Sequence, residues 1–157
     1  MPELPEVETI VKDLKKKVLN RTFLDVWTDA PKLIKRPKSF KIFQNLIKKK
    51  KILKVFRRAK NIIFELSGNY ILLVHQKMTG HLLYGKWRFV NNKWEAENSQ
   101  VLKEKVNSYI HIVFSLDNGW MLSLSDLRKF AKVELWDRDA FLNSKEYNLI
   151  GPEPLEK

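Results

Sequence analysis

Tyr109-Ile-His-Ile-Val-Phe-Ser-Leu-Asp-Asn-Gly-Trp-Met-Leu-Ser-Leu124 decides the fold. Two apolar runs, Tyr109–Leu116 and Trp120–Leu124, flank Asp117-Asn118-Gly119, residue types that accept the backbone of a tight hairpin. Upstream the same grammar recurs. Ile52–Phe56, Ile62–Leu66 and Tyr70–Val74 are short and rich in branched side chains, with Ser67-Gly68-Asn69 as a second hairpin turn. Leu82–Val90 reads as a further strand, Asn91–Ser99 as a polar connector, and Phe130–Trp136 as a last strand. Ahead of this block, Val7, Ile10, Val11, Leu14 and Val18 recur at helical spacing after Pro5, with lysines on the opposite face. Thr22–Thr28 reads as a strand and Pro31–Lys38 as a loop. Ser39 caps a short helix that turns Phe40, Phe43, Leu46 and Ile47 inward, and Asp139–Asn143 makes a final helical turn. The fold class is therefore mainly β with flanking helices, a sandwich or barrel. Regular βαβ alternation is absent, which excludes a doubly wound sheet.

The chain has 157 residues, enough for one compact domain, and 44% hydrophobic residues, enough to close a core. It has no cysteine, which excludes disulfide scaffolds, thiolate metal sites and cysteine nucleophiles within it. The formal charge of +12 lies wholly in residues 1–60, which hold 18 Lys/Arg against six Asp/Glu. Such a field suits a polyanion, either nucleic acid or an anionic membrane surface; solvated lysines are the plain alternative. No apolar run reaches membrane-spanning length and no signal segment opens the chain, so a cytoplasmic protein without a membrane partner is expected.

The opening Met-Pro-Glu-Leu-Pro-Glu carries chemistry of its own. If the initiator methionine is removed, Pro2 presents a secondary amine with a pKa of roughly 7.7–8.0, neutral enough to attack a carbonyl-like carbon. Glu3 and Glu6 beside it supply carboxyl groups for proton transfer. The alternative is that the prolines stiffen the approach to a helix whose N-terminus the glutamates favour. Lys48–Lys51, Lys54, Arg57, Arg58 and Lys60 form a basic run, and strand alternation puts Lys54, Arg58 and Lys60 on one face, suited to phosphate or to solvent. His75 either reaches a phosphate or satisfies a local backbone group. Met78 sits in a Gly-containing turn, and Arg128 and Phe130 share another loop; such groups fill the hole left by a flipped base, or pack in a core. Three scattered histidines make no metal site.

Taken in order, several segments resemble the motifs of the bacterial formamidopyrimidine-DNA glycosylase family. They are Met1-Pro-Glu-Leu-Pro-Glu-Val-Glu-Thr9, Arg57-Arg58-Ala59-Lys60, His75-Gln76-Lys77-Met78-Thr79-Gly80, Asp126-Leu127-Arg128-Lys129-Phe130 and Gly151-Pro152-Glu153-Pro154-Leu155. These enzymes begin base-excision DNA repair at 8-oxoguanine and ring-opened purines. The resemblance implies that Pro2 attacks C1′ of the damaged nucleotide and that Glu3 protonates the sugar ring oxygen, with Glu6 as the second acid. Lys60 holds phosphate at the lesion, and His75 is its neighbour on the DNA backbone. Arg128 turns toward the orphaned cytosine, Met78 fills the vacated space and Phe130 wedges the stack. Base release followed by β- and δ-elimination is the implied reaction, with no cofactor or metal in this chain.

The implied fold is a two-layer antiparallel β-sandwich of four-stranded sheets over residues 1–135, with residues 136–157 starting a linker. The helix–two-turn–helix module and the zinc finger, which holds the structural zinc of longer family members, are absent from this chain. The implied partners are damaged double-stranded DNA and that missing C-terminal domain, with the protein a monomer. The alternatives are a truncated DNA-binding domain without catalysis, or a bare folding unit. Leu127, Lys129 and Ala131 stand where the family usually has Pro, Arg and Gly, and Asn107-Ser108-Tyr109 replaces a His-rich stretch.

Overall fold

A computed structural model describes residues 12–58, 61–77, 80–97, 108–144 and 147. Residues 12–17 are helical (α1), and Leu14 and Val18 are its buried contacts to the core. Eleven strands follow: β1 Phe23–Thr28, β2 Ile34–Arg36, β3 Ile52–Arg58, β4 Asn61–Leu66, β5 Tyr70–His75, β6 Gly80–Gly85, β7 Trp87–Val90, β8 Lys93–Ala96, β9 Ile110–Leu116, β10 Met121–Asp126 and β11 Lys132–Asp137. The other described helices are α2 Phe40–Ile47, α3 Arg138–Leu142 and a 3-10 turn at Pro31–Leu33.

The strands build a four-stranded sheet ordered β1-β9-β10-β6 and a five-stranded sheet ordered β2-β11-β5-β4-β3. All pairings are antiparallel except β2 with β11. Alternation sends Ile62, Phe64, Leu72, Val74, Val133 and Leu135 of one sheet against Phe23, Val26, Ile112, Phe114, Leu122 and Leu124 of the other. That buried seam is the main core, and the sandwich expected from the sequence is present.

Each outer face is also covered. Phe141 of α3 is fully buried against Phe56, Ile63, Ile71 and Leu73 on the back of the five-stranded sheet. The β7–β8 hairpin lays Trp87 and Trp94 over Ile110 and Val113 on the back of the other. The packed unit therefore runs through α3, beyond the expected boundary at residue 135.

Three local expectations are corrected. Pro31–Lys38 is not a plain loop: Pro31–Leu33 is a 3-10 turn and Ile34–Arg36 is a strand, which gives the second sheet five strands instead of four. Leu82–Val90 is not one strand, because Lys86 separates β6 from β7. Asn91–Ser99 is not only a connector, since Asn91 and Asn92 both take positive φ (52° and 65°) and turn the chain into β8. Ser39 does cap α2, its hydroxyl accepting from the Ile42 N–H at 3.3 Å.

Candidate nucleic-acid interface

Sheet register gathers the chemically suggestive segments at one end of the sandwich. The start of β4 lies beside the end of β5 (Asn61 opposite His75), and the end of β5 beside the start of β11 (His75 opposite Lys132). On the other sheet, Asp126 at the end of β10 faces Gly80 at the start of β6. The β3–β4 turn, the β5–β6 connection and the β10–β11 loop thus emerge together. The hairpin turns at Ser67–Asn69 and Asp117–Gly119 lie at the opposite end.

The β10–β11 loop is exposed yet tightly closed. Lys129, at φ 57°, donates its N–H to the Asp126 carbonyl at 3.3 Å, and the Asp126 carboxylate accepts the Ala131 N–H at 2.7 Å. Asp126 is fully buried, and its side chain is turned onto the backbone of its own loop. Between those anchors, Leu127 and Phe130 stand 58% and 52% exposed, beside exposed Arg128 and Lys129. Large apolar groups held in solvent by a closed loop have no part in the core. They suit insertion into another molecule.

The β5–β6 connection is fixed in the same way. Gln76 is fully buried; its carbonyl accepts the Gly80 N–H at 2.9 Å and its side-chain oxygen accepts the Leu82 N–H at 3.0 Å. A Cβ on Gly80 would stand 2.4 Å from the Gln76 carbonyl oxygen and 3.1 Å from Ala131 Cβ. Glycine therefore lets this connection close directly against the β10–β11 loop. Lys77 is exposed here, at φ 57°.

His75 is 4% exposed, and its Nε2 lies 3.4 Å from Oε1 of Glu134 on β11. Burial pushes the Glu134 carboxyl up. The hydrogen bond from His75, the charges of Lys132 and His75 and the Trp136 N–H outweigh it, and the net value lies below the ordinary 4.5. His75 is thus part of a buried polar pair beneath the loops. Arg58 is likewise not on an open phosphate-facing surface. It is 3% exposed, its guanidinium 4.6 Å from the Tyr147 ring centre, because Lys54, Phe56 and Arg58 alternate onto the face that α3 and Tyr147 cover. At the β3–β4 turn, Asn61 Nδ2 donates to the Arg58 carbonyl at 3.2 Å.

Of the other expected site residues, Pro2, Glu3, Glu6, Lys60 and Met78 lie outside the described residues. Arg128 and Phe130 share the exposed loop, and the segments flanking Lys60 and Met78 converge on the same end. Sequence reading assigned no role to Gln76, Asp126 or Glu134, which brace these loops. For Gln76 and Asp126, a polar residue at the end of an apolar strand was the available signal; Glu134, inside β11, gave none. Among the described residues no cluster of three His, Asp or Glu can hold a metal ion, and no helix is long and apolar enough to cross a membrane.

Comparison with known proteins gives one answer. The profile of the formamidopyrimidine-DNA glycosylase N-terminal domain matches residues 1–133. A formamidopyrimidine-DNA glycosylase of Pelotomaculum thermopropionicum is 36% identical over the whole chain, and one of Ureaplasma parvum is 34% identical over 99% of it. The chain covers 51% of each relative, and so spans about half the length of the curated relatives it matches. The crystal structure of Lactococcus lactis Fpg in complex with DNA containing N7-benzyl-Fapy-dG superimposes with a TM-score of 0.73 at 25% identity. That superposition covers 94% of this chain and 47% of the other. With residues 1–133 matching the family's N-terminal domain and its fold superimposing on a solved member, this chain belongs to the formamidopyrimidine-DNA glycosylase family and carries its N-terminal domain.

Proposed function

We propose that this chain is the chemistry-bearing half of a bifunctional DNA glycosylase and AP lyase acting on oxidised purines, 8-oxoguanine and formamidopyrimidines, in double-stranded DNA. The observation that carries the reading is the convergence, at one end of the sandwich, of three connections with exposed Phe130 and Arg128 at the tip. Phe130 wedges the base stack, Arg128 meets the orphaned cytosine, and Met78 occupies the vacated space from the neighbouring connection. Lys60, which precedes Asn61 in the sequence, takes the phosphate at the lesion. His75 supports that contact from beneath through its pairing with Glu134.

The Pro2 amine, once freed of Met1, attacks C1′ as the glycosidic bond breaks and the base leaves. Glu3 protonates the ring oxygen, the sugar opens, and the nitrogen lone pair gives an iminium; Glu6 is the second acid of this site. Loss of a C2′ proton then expels the 3′ phosphate, a second elimination expels the 5′ phosphate, and water releases Pro2. The polypeptide beyond α3 begins a connection to a second domain that carries the helix–two-turn–helix module and the structural zinc. This repair takes place in a bacterial cytoplasm, the protein acting as a monomer.

Because the chain spans half of its relatives, a DNA-binding module without turnover is the second reading. Borohydride trapping on duplex DNA containing 8-oxoguanine or an abasic site separates the two. A covalent adduct that Pro2→Gly or retained Met1 abolishes, and that Phe130→Ala weakens on the lesion duplex, supports the first. Binding without an adduct from correctly processed, folded protein supports the second.

A further inference from the structure

The Lys-rich segment that sequence reading left as a loop forms a basic edge for which the lesion chemistry has no use. Because β2 runs parallel to β11, Ile34 opposite Val133 and Arg36 opposite Glu134, this edge begins near the converging loops and runs away from them. Two adjacent surface cavities of about 350 Å³ open along it. One is lined by Pro31, Lys32, Ile34, Lys35 and Lys38. The other includes Lys35, Arg36, Lys38, Tyr70 and Asp137.

The charges there are unbalanced. Lys32, Lys35 and Lys38 are exposed and make no hydrogen bond or ion pair among the described residues. The acid in the lining, Asp137, spends its carboxylate on the Ala140 N–H at 3.1 Å, as the cap of α3. Arg36 sits over the Trp136 ring, its guanidinium carbon 3.8 Å from the centroid, and Lys50 Nζ lies 4.7 Å from the Tyr70 ring centre. As an edge strand, β2 also leaves one side of its backbone unpaired in the sheet.

We infer that this edge is a second phosphodiester site, gripping a strand of the bound duplex on one flank of the lesion. It rests on the DNA-binding reading above but not on the Pro2 chemistry. Cations that line two adjacent depressions along an edge starting at the loop end fit a backbone of successive phosphates better than one compact anion. Lysines without partner acids give up no ion pair on binding, so their contribution is largely counterion release.

The test compares the wild-type chain with K32Q/K35Q/K38Q on a duplex extending a full turn to each side of a tetrahydrofuran abasic site. Binding is measured across a salt series, and circular dichroism checks the fold. The triple variant is expected to lose about 2–3 units from the slope of log K against log salt, at about 0.9 per phosphate released. Trimming the duplex on one flank should bring the wild type to the variant's slope, with borohydride trapping at an abasic site unchanged at low salt. An unchanged slope in the variant overturns the site, as does a loss that persists undiminished after both flanks are trimmed. A triple variant that loses inorganic phosphate binding but keeps the DNA slope overturns the strand assignment. A wild-type chain without affinity for duplex at low salt overturns this site and the DNA-binding reading together; binding without trapping overturns only the chemistry.

Discussion

Glu134 and Gly80 each do something that no other residue type would do in the same place. Glu134 is buried, yet its carboxyl sits below the ordinary 4.5 because His75, Lys132 and Trp136 together outweigh its desolvation. A carboxyl lowered by folding stabilises the fold above its unfolded value, and that contribution is lost as pH falls from 4.5 through the folded value. Glu134→Gln should therefore be less stable than wild type near neutrality, with the gap closing in acid; denaturant titrations at the two pH values measure it. Gly80 works through absence. A methyl group there meets the Gln76 carbonyl oxygen at 2.4 Å, so Gly80→Ala should cost about 1–3 kcal/mol of stability and push the β5–β6 and β10–β11 connections apart. Urea unfolding reads the first effect, and loss of lesion-dependent trapping reads the second.

Among the elements, the β10–β11 loop depends most on a single side chain. Asp126 closes it from below through the 2.7 Å bond with the Ala131 N–H. Asp126→Ala leaves that donor buried and unmet, which should cost about 1–3 kcal/mol and loosen Arg128 and Phe130 together. Thermal melts and hydrogen exchange at Ala131 check the two parts. The strands that flank this loop were legible, because Leu122 and Leu124 of β10 and Val133 and Leu135 of β11 alternate into the seam. β2 was not legible. Three residues, two of them basic, have no period to read, and their pairing with β11 is set about a hundred positions away in sequence. The β7–β8 hairpin escaped because Asn91-Asn92 turns without glycine and Phe89 stays 48% exposed, which blurs the alternation. Arg58 was misread for a related reason. Local alternation gave its face correctly, but what covers that face is Tyr147, from the far end of the described chain. His75 shows the same limit: its motif was recognisable, whereas its partner Glu134 lies on a strand whose neighbour only the fold decides.

Across the whole molecule, stability rests on three apolar layers instead of one. Besides the seam between the sheets, α3 seals the back of the five-stranded sheet through Phe141, with Trp136 and Tyr147 packed at its rim, the rings 5.6 Å from Phe141 in each case. Phe141→Ala should cost about 3–5 kcal/mol and expose Ile63 and Ile71, read as a lower denaturation midpoint and new binding of a hydrophobic dye. A chain cut before Arg138 should behave the same way. Residues past the family's matched segment at 133 thus contribute to the packed core.

The polarity of the sandwich has a consequence for how such a domain can diverge. Among the described elements, the direct crossings between the sheets, β1 to β2, β5 to β6 and β10 to β11, occur at the loop end, while the turns at Ser67–Asn69 and Asp117–Gly119 stay within a sheet at the other. Altered side chains can accumulate at the exposed positions of the crossings, such as Leu127, Arg128 and Phe130, without shifting any strand register, because Gln76, Gly80 and Asp126 hold the bases of those loops and the opposite turns hold the strands. One end of the molecule is free to drift toward new targets, and the other preserves the frame that keeps each variant foldable.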